Sequence, residues 1–592
     1  MTTPTDTYVL LRAFVDELVR CGMHAACTSP GSRSAPLALS LAGEERLHCY
    51  SHIDERCSGF FALGLAKASG LPVAVTCTSG TAVAELLPAA IEAREARVPL
   101  LLLTADRPPE LRENGAGQAI DQIEIFGGAV KWFFEVGSHD ASPERLRWIR
   151  TLACRAYWTS LEGRPGAVHL NFPLREPLVA DEELPGDDSG RPDGAPRVRR
   201  ATGTGSPDTR DGSVLRSLAL GGRGVVVAGR CERPEGIAAA VSSFAQAAGW
   251  PLLADPLSGA RRGGAAIAHY DALLRDPAFA AENAPEVVLR VGDLPVSKPL
   301  RGWLAGLQDT GARQVALDPE GAWQDPDSVL CESLAIDPVQ ALDSLAADLA
   351  AAAEPPGEDW LGAWRSADEL AAQAIIGVLG DAISEPAIAR ELGVLLPREA
   401  TLFVSSSMPV RDIETFWPAR MDGPRVLCNR GANGIDGTVS SAFGAAAAGA
   451  DPVVLLIGDV ALAHDIGGLI ANGRLGLKLT IVLLDNGGGG IFDFLPVSRA
   501  PMALRGDIYS RHVATPTGLD FSAAATLYGL AHERVTDVPA FRTGLERALA
   551  GERSAIVEVR CDRAENVALH RDMWAAVSRA LNPSAAAGAP EA

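Results

Sequence analysis

Short runs of β-branched and aliphatic residues, each ending in glycine, serine, proline or a charge, alternate along the chain with stretches of helical apolar spacing. In the first third they are "HAACTSPGSRS" (24–34), "LPVAVTCTSGTA" (71–82) and "VPLLLLTADRP" (98–108). In the middle they are "RGVVVAGR" (223–230), "EVVLRVGD" (286–293) and "RQVALDPE" (313–320), and in the last part "ATLFVSSS" (400–407), "DPVVLLIGD" (451–459) and "LTIVLLDN" (479–486). Continuous apolar runs separated by helices predict strands buried on both faces, hence parallel, doubly wound sheets in an α/β fold. Two compositional breaks divide the pattern. Residues 182–213, rich in Pro, Gly and Asp, read as a linker, and "AAAEPPGEDW" (351–360) is a weaker break. The expected organisation is a first domain over 1–181, the linker 182–213, a central α/β domain over 214–352, a third domain over 353–580 and a disordered tail over 581–592. A length of 592 residues, well beyond the ~250–300 at which one core stops growing, agrees with several domains. Ligands of such sheets bind beyond the carboxyl ends of the strands, so the polar residues there are the ones to weigh.

Composition narrows the chemistry. The net charge is −21, from 53 basic and 74 acidic residues. That argues against binding to nucleic acid or to an anionic membrane, and it requires local basic pockets if the substrates are anions. Ten cysteines stand singly with no C-x-x-C pair, which suits reduced thiols in a cytoplasmic protein better than disulfides or zinc. The first twenty residues lack a signal-peptide pattern, and no apolar run reaches membrane-spanning length, so no membrane insertion is expected.

The most informative stretch is "VVLLIGDVALAHDIGGLIANGRLGLKLTIVLLDNGGGGIF". Asp459 lies just past one predicted strand and Asn486 just past the next, with 26 residues between them, room for one crossover helix and a return strand. Both side chains then reach the same sheet edge. A carboxylate, an amide oxygen and a backbone carbonyl, here Gly488, make a hard-oxygen site for Mg²⁺ (Mn²⁺ being the alternative ion), with positions left for phosphate oxygens. Gly487 to Gly490 allow backbone to approach a phosphate closely. Either residue alone also reads as a helix cap. The pair resembles the G-D-x…N signature of enzymes that use thiamine diphosphate (ThDP), although Gly458-Asp459-Val460 and Asp485-Asn486 stand where the common form is G-D-G and N-N. No P-loop, dinucleotide fingerprint, G-x-S-x-G or H-E-x-x-H motif is present.

A ThDP enzyme uses one carboxylate against the pyrimidine N1′, on a domain separate from the metal. "HIDERCSGFFALGLAK" (52–67) places Asp54, Glu55 and Arg56 where an apolar strand gives way to a helix of small residues. An acid there is either a cap complementing the helix dipole or the proton carrier. The resemblance puts the catalytic role on Glu55, with Asp54 its rival.

Together "TSPGSRSAPL", "HIDERCSGFFALGLAK", "TSGTAVAELLPAAIEA", "LTADRPPELRENGAGQAIDQ", "NRGANGIDGTVSSAFGAA" and "DNGGGGIFDFLP" are similar to the 2-succinyl-5-enolpyruvyl-6-hydroxy-3-cyclohexene-1-carboxylate synthase family of menaquinone biosynthesis. The likeness covers the first and third segments and is weak in the middle. It implies three doubly wound parallel-sheet domains of the ThDP-dependent decarboxylase/carboligase type. It implies decarboxylation of 2-oxoglutarate and conjugate addition of the resulting succinyl carbanion to isochorismate. Both substrates are dianions, which calls for bidentate cations. The candidates are Arg33, Arg107, Arg411 and Arg430 in Gly/Ser/Pro loops, with Ser32 and Gln118 as neutral partners. By family match Ser407 joins Arg411, and Lys298 is the central domain's contribution, followed here by Pro299 and Arg301 where the family often has a second base directly after the lysine. Phe492 and Leu495 would wall the site, and Ile435 matches the bulky residue wedged between the ThDP rings. A lone loop arginine is otherwise a solvated charge, and Phe492 and Ile435 are otherwise packing residues. The rival readings are another carboligase such as acetolactate synthase, a non-catalytic ThDP-fold binding module, and a nucleotide-binding dehydrogenase. A homodimer at minimum, or a homotetramer, is expected, with Glu55 and Asp459 of each site on different copies. The small-residue helix after Glu55 and "SSAFGAAAAGA" after Ile435 are expected at a two-fold interface.

Overall fold

The computed structural model describes residues 3–180, 183–200, 222–232, 236–350 and 358–583. The expected breaks fall partly outside them, at residues 182, 201–213, 351–357 and 584–592. The chain divides into two compact units, one of Met1–Thr202, Asn429–Val453 and His464–Leu479, the other of Gly203–Cys428, Val454–Ala463 and Thr480–Ala592.

The first unit holds a six-stranded sheet of β1 (Ala25–Thr28), β2 (His48–Ser51), β3 (Val73–Cys77), β4 (Leu100–Asp106), β5 (Trp132–Glu135) and β6 (Ala167–Pro173). Its order is β2-β1-β3-β4-β6-β5, parallel throughout. β3, β4 and β6 are buried along their whole length, as central strands covered on both faces must be. Helix Pro4–Cys21 opens on a capping box between Thr3 and Asp6 and closes on Gly22 at φ 113°. Residues 183–200 form no regular element, yet Asp187 and Ser189 bond the buried Arg150, which also pairs with Asp16 and Glu17 at 2.7 and 2.8 Å.

The second unit holds two sheets. One consists of β7 (Gly224–Ala228), β8 (Leu252–Ala254), β9 (Val287–Val291), β10 (Arg313–Leu317) and β11 (Glu332–Leu334), in the order β11-β10-β9-β7-β8. The other consists of β12 (Thr401–Val404), β13 (Arg425–Cys428), β14 (Val453–Gly458), β15 (Thr480–Asp485), β16 (Ala531–Val535) and β17 (Ala555–Arg560), in the order β13-β12-β14-β15-β17-β16. Counted from its own first strand, every sheet begins 2-1-3-4, and the first and third share the full order 2-1-3-4-6-5. All nine strands expected from the apolar runs are present and lie in these three doubly wound sheets.

One expectation needs correcting. The small-residue helices assigned to an interface between copies, Glu55–Ser69 and Thr438–Ala447, pack on each other inside the first unit of one chain. A Cβ on Gly64 would collide with the Ser441 carbonyl, and one on Gly444 with the Phe61 carbonyl. The glycines are therefore accounted for by this intrachain backbone contact and require no second copy. Among the described residues, no helix is long and apolar enough to cross a membrane.

Candidate active site

In a 2-1-3-4 sheet the strand order reverses between the first and third strands, and the loops leaving those two strands open a crevice. In the first unit these loops leave β1 and β3. The β1 loop carries Ser32, exposed, and Arg33, only 4% exposed despite its charge. Arg33 donates to the Leu174 carbonyl at 2.7 Å and to Glu176 at 2.8 Å, while its Nε is buried without a partner. The β3 loop carries Ser79, whose hydroxyl takes a 2.9 Å bond from Arg107 beyond β4. Gln118, at φ 57°, donates to the Ser79 carbonyl and accepts the Ser79 hydroxyl through its own carbonyl, both at 2.9 Å. Burial, and after it the charge of Arg33, lowers the Arg107 pKa, so the two guanidiniums share one electrostatic environment. Two guanidiniums thus come close together in an otherwise acidic chain.

Glu55 opens the helix that follows β2. Asp54 is the cap: its carboxylate accepts the Arg56 and Cys57 N–H groups at 2.8 and 3.2 Å. Glu55, half-buried in the first turn, is relieved of that duty. Burial pushes its carboxyl above the usual range, and the charges of Asp54 and Glu85 push the same way. The loop after β13 carries Arg430 and Ile435 and belongs to this first unit. Both are half-buried, and the Ile435 carbonyl accepts the Thr438 hydroxyl at 2.9 Å.

In the second unit the crevice loops leave β12 and β14. Asp459 follows β14, is 2% exposed and accepts N–H bonds from Val460 and Gly488, but its Oδ2 is buried without a partner. Asn486 follows the adjacent β15. Its Nδ2 donates to Glu385 at 2.8 Å, and its Oδ1 too is buried without a partner. Gly488 lies at φ 137°, where an added Cβ would sit 2.5 Å from the Ala514 carbonyl, so no larger residue fits. Its own carbonyl accepts the Gly490 N–H at 2.9 Å and keeps its second lone pair. Burial, with the charge of Asp485 behind it, pushes Asp459 up to about 6. Among the described residues no three His, Cys, Asp or Glu side chains form a metal cluster. The donors that remain are hard oxygens, which fit Mg²⁺ and not a soft metal.

After β12, Ser407 is held at φ 77°, a left-handed conformation uncommon outside glycine, and starts helix Met408–Phe416. Arg411, one turn on, donates to the Ser407 carbonyl. Lys298 is exposed at the first turn of helix Lys298–Gly306, whereas Arg301 is tied to the Pro295 carbonyl at 2.9 Å. Phe492 is half-buried over Gly489, where a Cβ would lie 2.7 Å from the ring, and Leu495 is exposed.

Three profiles of thiamine pyrophosphate enzymes match the chain: the N-terminal TPP binding domain over residues 10–125, the middle domain over 216–404 and the C-terminal TPP binding domain over 414–559. Over 600 residues the chain is 42% identical to the 2-succinyl-5-enolpyruvyl-6-hydroxy-3-cyclohexene-1-carboxylate synthase of Geobacillus thermodenitrificans, covering 98% of each chain. It is 42% identical to the synthase of the same name from Chloroflexus aurantiacus, covering 96% of each, and 40% identical to that of Halobacterium salinarum, covering 95% of this chain and 97% of the relative. The chain belongs to this synthase family.

Within the synthase fold, several side chains that the sequence reading did not single out are tied to the residues it did. Glu385, fully buried in the first turn of helix Glu385–Leu395, takes the Asn486 amide nitrogen and so turns Oδ1 the other way. Burial, then the charge of Asp412, pushes Glu385 up to about 8. Asp412, beside Arg411, is itself bonded to His570 at 3.0 Å. In the first unit Asp465, wholly buried, accepts the Ser440 N–H at 2.8 Å, the Cys57 thiol at 3.7 Å and the charge of Arg56 at 3.7 Å, and so ties down the turn that carries Glu55. The only signal for these acids in the sequence was their nearness to helix starts, which solvated acids share.

Proposed function

We propose that the protein catalyses the ThDP-dependent decarboxylation of 2-oxoglutarate and the conjugate addition of the succinyl unit to isochorismate, with release of CO₂, a step of menaquinone biosynthesis. The observation that carries the ThDP reading is the pair of buried, unpartnered oxygens, Asp459 Oδ2 and Asn486 Oδ1, at the ends of adjacent strands. Buried polar atoms are rarely left without partners, and two such oxygens beside a carbonyl call for a cation. Asp459, Asn486 and the Gly488 carbonyl would hold Mg²⁺ against the diphosphate. Bound ThDP supplies the carbon nucleophile and the electron sink for loss of CO₂. Glu55 holds or shares a proton at the pyrimidine N1′, a task suited to a carboxyl whose burial favours the protonated form. Ile435 would help to hold the ThDP rings, as the family resemblance implies.

The remaining residues bind and orient. Arg33, Arg107, Arg430, Arg411 and Lys298 neutralise substrate carboxylates, and Ser32, Gln118 and Ser407 add neutral hydrogen bonds. Phe492 and Leu495 exclude water. The paired arginines of the β1 and β4 loops favour a dianionic keto acid over pyruvate, and hence this reaction over acetolactate synthesis. All ten cysteines are free thiols, in keeping with a cytoplasmic location. The test is CO₂ release with ThDP and Mg²⁺. Turnover of 2-oxoglutarate, stimulated by isochorismate, is the expected result; turnover of pyruvate alone would favour the acetolactate-type alternative.

A homodimer at minimum is part of this reading, each site taking Glu55 from one copy and Asp459 from the other. Glu55→Gln and Asp459→Ala variants mixed under subunit exchange would form about half mixed dimers, each with one intact site, and recover about a quarter of wild-type activity. No recovery would place both residues on one chain.

A further inference from the structure

The loop that carries Arg430 is held by a buried acid on another element of the first unit. Glu92, on helix Leu87–Ala96, is 3% exposed. Its Oε1 accepts the Gly431 N–H at 2.8 Å and its Oε2 the Ala432 N–H at 2.6 Å, so both carboxylate oxygens engage the two peptides directly after Arg430. Lys67, fully buried, lies 3.7 Å from Oε1. The loop is pressed onto the helix: a Cβ at Gly431 would lie 2.6 Å from the Ala96 nitrogen and 2.9 Å from the Glu92 carbonyl oxygen. The charge of Glu92 is thus compensated by one ammonium and two N–H dipoles, and none of it is spent on the neighbouring guanidinium. Among the described residues the Arg430 side chain makes no hydrogen bond or ion pair.

We propose that Glu92 is a positioning residue for Arg430: it fixes the backbone behind Arg430 at two points while leaving the guanidinium unpaired for a carboxylate of the substrate. The proposal rests on Arg430 being a substrate cation. A carboxylate offers a separate acceptor oxygen to each of the two consecutive N–H groups; Gln in the same pose offers one oxygen and turns an N–H donor toward the other group. A free loop would let Arg430 reach an acid of the chain and quench itself, a standing hazard at a net charge of −21.

The test uses the full-length protein with ThDP and Mg²⁺, measuring KM for 2-oxoglutarate and for isochorismate. Arg430→Ala should raise one of these by on the order of 10–100-fold, the loss of a charge-assisted bond. Glu92→Gln should raise the same KM by about 3–10-fold with kcat nearly kept, and should add less than about twofold in the Arg430→Ala background, because the two residues act on one contact. Hydrogen exchange of a peptide spanning 429–434 should lose protection in Glu92→Gln. If loss of the Glu92 charge beside buried Lys67 destabilises that variant, Lys67→Met/Glu92→Gln removes both buried charges and should show the same KM shift. Should Arg430→Ala leave both KM values unchanged, the substrate reading of Arg430 falls and the proposal with it. Should Arg430→Ala raise KM while Glu92→Gln does not, or should the two effects multiply, the proposal alone falls.

Discussion

Glu55 and Asp459 are both acids at the end of a sheet strand, and burial raises the carboxyl of each, but the atoms around them differ. Among the described residues, the charges that act on Glu55 are those of two acids, Asp54 and Glu85. Asp459 feels the charge of Asp485 and keeps an unpartnered Oδ2, as the amide Oδ1 of Asn486 beyond the adjacent strand does. The first environment favours a neutral carboxyl and suits a group that holds a proton. The second leaves a buried, unpartnered oxygen at the end of each of two adjacent strands, and on the proposed reading these oxygens would take a divalent ion. A raised pKa therefore does not by itself tell an acid–base residue from a metal ligand; the neighbouring oxygens do.

The largest effect should come from the proton-holding side. Glu55→Gln keeps the volume and removes the titratable group, so exchange of the C2 proton of bound ThDP, followed by NMR, should slow by on the order of 10²–10⁴. Wild-type exchange would make Glu55 a bystander and erase the contrast. On the metal side, Asp459→Asn keeps the shape and removes the charge. Calorimetric titration of ThDP with Mg²⁺ should then show an affinity lower by at least ~100-fold, more than the ~10–100-fold that outer residues of a metal site cost. An unchanged affinity would move the metal elsewhere.

A smaller change sharpens the same contrast at the substrate. Arg411 is braced by the Ser407 carbonyl, whereas the Arg430 side chain has no partner among the described residues. Arg411→Ala should raise KM for a carboxylate substrate by about 1.5–3 kcal/mol of binding and leave ThDP affinity as it was. Both KM values staying put would reduce Arg411 to a structural charge.

Sequence pattern revealed much of this arrangement, and its failures share a cause. The nine long apolar runs became strands because burial on both faces writes itself into composition. β5, β8, β11, β13 and β16 stayed hidden: each lies at a sheet edge, and half-buried residues such as those of Trp132–Glu135 carry no continuous signal. β6 and β17 stayed hidden too, although they are interior and buried nearly throughout, because His169 and Asn171 in the one and Glu558 in the other interrupt the apolar run. Asp459, Asn486 and Glu55 could be put forward from the sequence because each directly follows a strand or starts a helix within a dense motif. Glu92 was not. In sequence it is a polar residue on an alanine-rich helix, and its partners at Gly431 and Ala432 arrive from more than three hundred positions away. Glu385 and Asp465 are alike in this. Long-range burial turns an ordinary acid into a brace, and local pattern holds no record of it. The shared 2-1-3-4 order of the three sheets was also invisible, since topology is set by crossovers and not by the strands' own residues.

The smallest expected effect separates the two units by pH. In the first unit His169 is wholly buried and burial lowers it to about 3; His52 is lowered to about 4 by burial and then by Arg474. The hydroxyl of Thr104 donates its one proton to Asn171 Oδ1 at 2.9 Å, so the 2.7 Å contact with His169 Nε2 requires that nitrogen to be the donor. His169 Nδ1 is then bare and buried without a partner, and a proton placed there would be an unpaired charge. Both folded pKa values lie below the ordinary 6.5 of the unfolded chain. The stability they confer is therefore complete above about 6.5 and is lost as pH falls toward 4, by roughly 1–2 kcal/mol for each histidine at pH 5. In the second unit burial would lower His570, but the hydrogen bond and charge of Asp412 outweigh it and raise the imidazole. That contribution has the opposite sign: it is present below 6.5 and lost as pH rises through the folded value. Hydrogen exchange at pH 7 and pH 5, corrected for intrinsic rates, should accordingly show β3, β4 and β6 losing protection on acidification while the helix Arg563–Leu581 around His570 does not. His169→Gln, whose amide still donates to Thr104, should remove about half of the acid sensitivity. Equal losses in both units, or a variant as acid-labile as the wild type, would show that these buried rings do not set the difference.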